Sequence, residues 1–164
     1  MVEEYSKMDS VNVHVASWNL GGEKPLHALE LKPWLLPDNT KRPDIFIIGF
    51  QEIIPSGFMR SNKTEQEYWK DQVMKCLITH AKDESYQFVR ALDLSGLYTI
   101  FVSKKSIQTR IGDIATATYK LPYSDNGSKG ANAIKLNIDD TSFVFLNCHL
   151  DNGSNQTNAF QRHS

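Results

Sequence analysis

Three side chains able to hold a cation or a phosphoryl group stand at matching places in this sequence. Glu52 follows the apolar run Asp44-Ile-Phe-Ile-Ile-Gly-Phe-Gln51, Asn19 follows Val11-Asn-Val-His-Val-Ala-Ser-Trp18, and His149 follows Ser142-Phe-Val-Phe-Leu-Asn-Cys148. Carboxylate and amide oxygens are hard ligands of the kind Mg2+ accepts, since Mg2+ keeps several waters and needs only one or two carboxylates. On that reading Glu52 is the anionic metal ligand and Asn19 a neutral orienting contact. An imidazole at a third strand end can touch a phosphoryl oxygen or stabilise developing negative charge. The plainer alternative is that Glu52 caps a turn, Asn19 bonds nearby backbone and His149 is structural. Lys129, in Gly127-Ser-Lys-Gly130, sets a cation among backbone N–H groups, which suits phosphate. The spacing is not that of a P-loop, and a solvated loop lysine is the competing reading.

These side chains meet only if the runs before them are strands ending on one rim. Ile45 to Phe50 is apolar apart from Gly49, short, β-branched and aromatic, and Pro43 precedes it; this predicts a strand buried on both faces in mid-sheet. In open α/β sheets the carboxyl end of such strands is where ligands bind. Val11–Trp18 alternates, which places His14 on its polar face; His14, His27 and His80 are read as structural. A short helix is expected within Leu26–Leu36. Thr64-Glu-Gln-Glu67 has capping-box spacing. The helix it opens carries Trp69, Val73, Leu77 and Ala81 on one stripe, read as core rather than as a ligand site. Strands are expected over Tyr86–Leu92, Leu97–Lys104, Asp113–Lys120, Ala131–Asp139 and Ser142–Cys148, with Gly96 and Asp139-Asp140-Thr141 as turns. Strand, helices, then a run of antiparallel strands predicts an α/β layered sandwich rather than a doubly wound fold.

The 164 residues, 40% hydrophobic with net charge −1, suffice for one compact domain. There is no basic excess, so the footprint of a nucleic-acid binder is missing. No stretch suits a membrane span or a signal peptide, and a cytoplasmic protein is expected. Cys76 and Cys148 both lie in apolar surroundings and are read as buried free thiols. The Asn-x-Ser/Thr triplets at Asn62, Asn126, Asn152 and Asn155 are read as accidents of polar loop composition.

Several segments, in order, resemble the inositol polyphosphate 5-phosphatases. Trp18-Asn-Leu-Gly-Gly22 resembles the family's W-N-x-x-G opening, and Asp44–Ile53 its D-hydrophobic-G-x-Q-E-I strand. Gly96–Val102 is similar to G-x-x-L-x-V-F-V, Gly127-Ser-Lys-Gly-Ala131 to the G-N-K-G-A/G loop, and Phe145-Leu-Asn-Cys-His-Leu150 to F-V-N-S-H-L. The resemblance implies a DNase-I-like fold, two packed sheets flanked by helices. It also implies Mg2+-dependent removal of the inositol 5-phosphate, from phosphoinositide lipids or soluble inositol polyphosphates, by an activated water. It matches Asn19 and Glu52 to the metal side, His149 to the histidine beside the scissile phosphate, and Lys129 and Ser128 to the substrate loop. The family's loop asparagine is Ser128 here, and Asp151-Asn152 replaces its small pair. A nuclease of the same superfamily and a non-catalytic phosphoinositide-binding relative are the alternatives. A lipid substrate would bring the protein to a membrane surface peripherally.

The family's later G-D-x-N, W-C-D-R and S-D-H motifs do not occur in the sequence. Residues 11–164 are therefore expected to be about the first half of a catalytic domain, with little activity alone; residues 1–10, being polar, are expected to be a frayed extension. Such a half should leave one sheet's inner face uncovered and prone to associate. Analytical ultracentrifugation and denaturant titration test this: a monomeric chain that unfolds cooperatively would contradict it.

Overall fold

The computed structural model describes residues 10–24, 31–38, 41–54, 63–122 and 129–150. Residues 1–9 of the expected N-terminal extension and the four glycosylation-type triplets, apart from Lys63 and Thr64, fall outside these residues. So do Ser128 and residues 151–164.

Among the described residues seven strands form two sheets. β1 (Val13–Asn19), β2 (Ile45–Gln51), β3 (Tyr86–Leu94) and β4 (Leu97–Lys104) pair in the order β1-β2-β4-β3. β5 (Ile111–Lys120), β6 (Gly130–Ile138) and β7 (Thr141–His149) form a second, antiparallel sheet in chain order. Helices α1 (Lys32–Leu35) and α2 (Lys63–His80) cover the outer face of the first sheet, and a 3-10 helix at Lys105–Arg110 links the sheets. The expected layered sandwich and its strand sequence are found, with ends moved by one or two residues; the 3-10 helix had no sequence signal.

Every residue of β2 is buried. Phe46, Ile48 and Phe50 pack on Trp69, Val73, Cys76 and Leu77 of α2, and Ile45 and Ile47 face Ile134, Leu136 and Ile138 of β6. Burial on two sides explains the missing polar alternation. β2 runs parallel to β1, with Asn19 opposite Gln51, and antiparallel to β4. Parallel pairing brings the carboxyl ends of β1 and β2 to one edge. The stripe Trp69, Val73 and Leu77 of α2, with Ala81 just past its end, is core as expected. The helix is already formed at Lys63, so Thr64 sits inside its first turn and the capping box is not where the spacing put it. The two-residue turns at Ser95-Gly96 and Asp139-Asp140 close hairpins; Ser95 and Gly96 both take positive φ, as a primed turn requires.

Two other expectations are corrected. His14 is not on a solvent face: its ring packs 5.4 Å from Phe46 on the helix side, and burial lowers its pKa. The alternation of β1 is real, but the His14-Ala16-Trp18 face is the one the helices cover. Cys148 is exposed while Cys76 is buried with its thiol pushed up to about 11 by burial. Strand alternation explains Cys148: Asn147 and His149 point inward, so the residue between them points out. The expected uncovered inner face is present in part: the first sheet covers β6, whereas no residue of β5 is buried and Val15, on the inward face of β1, is 62% exposed. Further exposed apolar side chains lie on the outer face of β7, where Val144 and Leu146 are 61% and 66% exposed.

The amino ends of the strands are locked by charge. Lys104 Nζ lies 3.0 Å from Asp44 Oδ1 and 2.6 Å from Glu84 Oε1, while the Asn12 N–H donates to Asp44 Oδ2 at 2.8 Å. Burial alone would raise the Asp44 carboxyl, but the Asn12 and Lys104 bonds outweigh it and hold it below its ordinary value. A depressed folded pKa contributes stability that is present above the unfolded value, near 4, and is lost as pH falls through the folded one. Lys104→Met would strand Asp44 half-buried without its cation; we expect a loss of about 3 kcal/mol at pH 7, shrinking in acid, in urea titrations at both pH values.

Candidate active site

The rim is built where β1 and β2 end. Asn19 closes β1, and its Oδ1 accepts from the Gly21 N–H at 3.0 Å. Its Nδ2 donates to Glu52 Oε1 at 2.9 Å. Trp18, just before, packs edge-on 5.4 Å from Trp34 and 6.4 Å from Trp69, tying the end of β1 to the helix layer.

Continued strand alternation would send Glu52 into that same aromatic layer. Instead its φ is +54°, a left-handed conformation that costs a non-glycine residue about 1–3 kcal/mol unless its surroundings impose it. They do: the Gly22 N–H donates to Glu52 O at 2.8 Å, and the Ile53 N–H to Gly96 O at 3.2 Å. The turned backbone aims the carboxylate along the rim.

His149 arrives from the second sheet. The three strands are not neighbours in one sheet, as simple convergence would have it; β7 lies across the sandwich from β2. Its inward positions are Asn147 and His149, and His149 Nε2 reaches Glu52 Oε1 at 3.2 Å. Lys129 Nζ lies 2.8 Å from the same Nε2. Gly130 is the cross-strand partner of His149, which sets Lys129 diagonally beside the imidazole. A Cβ at Gly130 would collide with the Tyr119 carbonyl, so only glycine lets β6 start there, and the Leu121 N–H holds Lys129 O at 3.0 Å. The two His149 contacts are alternatives. A neutral ring accepts from Lys129 through Nε2, whereas a ring protonated there donates to Glu52.

The structure thus brings Asn19, Glu52, His149 and Lys129 together; Ser128 lies outside the described residues. The Asn19 hydrogen bond is the main cause of a lowered Glu52 pKa; burial opposes it and the charges of His149 and Lys129 assist. Glu52 is therefore a carboxylate at neutral pH. A carboxylate and an amide oxygen on an open rim fit a hard divalent cation that keeps most of its own water. No group of three His, Cys, Asp or Glu suited to a metal occurs among the described residues.

Sequence reading missed Gln51 and Asn147. Both are buried polar residues at inward strand positions: Gln51 Nε2 donates to Asn147 Oδ1 and to Ser17 Oγ, the latter at 3.0 Å. The signal was available, since an amide at an inward position needs a partner.

Residues 16–164 match the Endonuclease/Exonuclease/phosphatase family 2. The chain belongs to this family. It is 30% identical over 155 residues to inositol-1,4,5-trisphosphate 5-phosphatase 1 of Schizosaccharomyces pombe, covering 92% of this chain and 14% of that protein. The solved inositol polyphosphate 5-phosphatase domain of SPsynaptojanin, in complex with inositol (1,4)-bisphosphate and calcium ion, superposes with TM-score 0.79 at 30% identity, over 92% of this chain and 44% of that one. Cimex nitrophorin, in its ferrous NO complex, shares the fold at TM-score 0.65 and 16% identity, over 88% of this chain and 48% of that one. The chain spans 11–15% of the length of curated relatives such as synaptojanin-1.

Asn19→Ala should raise the Glu52 titration, because the largest lowering contact is removed. Carboxyl 13C NMR against pH checks it; an unmoved midpoint would show that the amide does not hold the carboxylate.

Proposed function

We propose that this chain supplies the metal- and phosphate-facing side of an inositol polyphosphate 5-phosphatase site. The observation carrying the proposal is the rim itself: a carboxylate, an amide, an imidazole and an ammonium group from four strand ends, meeting within 3.2 Å contacts. Glu52 would hold Mg2+, with Asn19 fixing the carboxylate's direction. A divalent cation bound there supplies positive charge to a phosphoryl oxygen and lowers the pKa of bound water. Lys129 would neutralise a non-bridging phosphate oxygen. His149, its ring orientation fixed by β7, would donate to another as negative charge builds. The family relatives, one of them bound to an inositol bisphosphate, support inositol phosphates as the substrate class.

The same proposal includes a phosphoinositide lipid or a soluble inositol polyphosphate as partner, a cytoplasmic setting and a peripheral encounter with membrane. Among the described residues no helix is long and apolar enough to cross a bilayer.

The test is isothermal titration of the chain with inositol 1,4,5-trisphosphate, with Mg2+ and with EDTA. We expect Mg2+-dependent binding that Glu52→Gln weakens about 100-fold, and release of the 5-phosphate wherever turnover occurs. Binding with no dependence on metal or on Glu52 would overturn the proposal. Cleavage of an abasic duplex without phosphate release would favour the nuclease, and Mg2+-dependent binding without turnover in any longer native form would favour the non-catalytic relative.

A further inference from the structure

Glu52 and His149 belong to different sheets, so no backbone ladder fixes the distance between them. Side chains must. Gln51 immediately precedes Glu52, and Asn147 lies two residues before His149 on the same inward face of β7. Both are only 6% exposed, and Gln51 Nε2 donates to Asn147 Oδ1 across the gap between the sheets.

The remaining valences of this pair are spent on the strands that carry the site. Gln51 Nε2 also donates to Ser17 Oγ of β1. Asn147 Nδ2 is shared among Phe50 O at 3.3 Å, Tyr98 O at 3.2 Å and Thr99 Oγ1 at 3.0 Å, on β2 and β4. Gly49 makes room for it: a Cβ there would lie 2.7 Å from Asn147 Cγ. The second sheet is thus seated against bare backbone of β2, one turn of the pleat behind Glu52. Apolar contacts tolerate sliding by fractions of an ångström. A buried amide pair whose directional partners lie on β1, β2 and β4 does not, because each lost bond leaves a desolvated polar group.

We propose that the Gln51–Asn147 amide clasp, seated over Gly49, is the positioning device that sets the separation of Glu52 and His149. Neither residue touches substrate or metal in this role; both act through the residues beside them. The proposal rests on reading Glu52 and His149 as the working pair, and the test below keeps the two apart.

The experiment is NMR on the full 164-residue chain. Wild type should show a nuclear Overhauser contact between the His149 ring and the Glu52 Hγ protons, and slow solvent exchange of the Asn147 side-chain amide. Asn147→Asp removes the donor, and Gly49→Ala pushes on Asn147 without removing an amide. In both, the His149–Glu52 contact should be lost while amide dispersion shows the sheets retained. Val144→Ala, on the outer face of β7, should leave it intact. A contact of wild-type intensity in either folded variant would overturn the proposal. So would Asn147 amide protons that exchange as fast as those of exposed Asn19, a readout that requires no variant to fold. If the contact behaves as expected but Mg2+ moves neither Glu52 nor Asn19 signals, the clasp stands and the proposed function falls.

Discussion

β2 is buried on both faces and paired in parallel with β1, and the remaining geometry hangs from that arrangement. With a period of two, Phe46, Ile48 and Phe50 face the helices while Ile45, Ile47, Gly49 and Gln51 face the second sheet. A slip of one residue would exchange these sets, placing Gln51 among the tryptophans and Phe50 against Asn147. Register is therefore strongly determined. It fixes Asn19 opposite Gln51 and brings Glu52 out one residue later, at the edge where β1 also ends. The left-handed turn at Glu52 then directs its carboxylate along the rim, held by carbonyl and N–H partners from two neighbouring loops.

The two ends of β2 show what solvent does to similar chemistry. At the amino end Asp44 meets Lys104 and Asn12 in a mostly buried cluster, where each charge has its partners and nothing is left to offer a ligand. At the carboxyl end Glu52 lies against Asn19, His149 and Lys129 on a half-open rim, where cation and phosphate could replace contacts the groups now make with one another. Both carboxyls are held below their ordinary range, so a lowered pKa does not by itself distinguish a lock from a site. Access and the kind of neighbours do.

The nitrophorin likeness makes the same point at the level of fold. A shared layered sandwich does not specify chemistry. What distinguishes this chain is four side chains and their distances, with the amide clasp behind them.

Much of this was legible in the sequence. Uninterrupted apolarity marked β2 as central, the stripe on α2 marked its buried face, and polar residues ending three apolar runs marked the rim. Local pattern determines such things because strand and helix periodicities are properties of short segments. The strand partners, the outward turn of Cys148, the helix-side burial of His14 and the meeting of Gln51 with Asn147 were decided only in the tertiary structure. Periodicity shows that a strand has two faces, but not what covers each one. Residues 96 apart become hydrogen-bond partners only once two sheets close on one another.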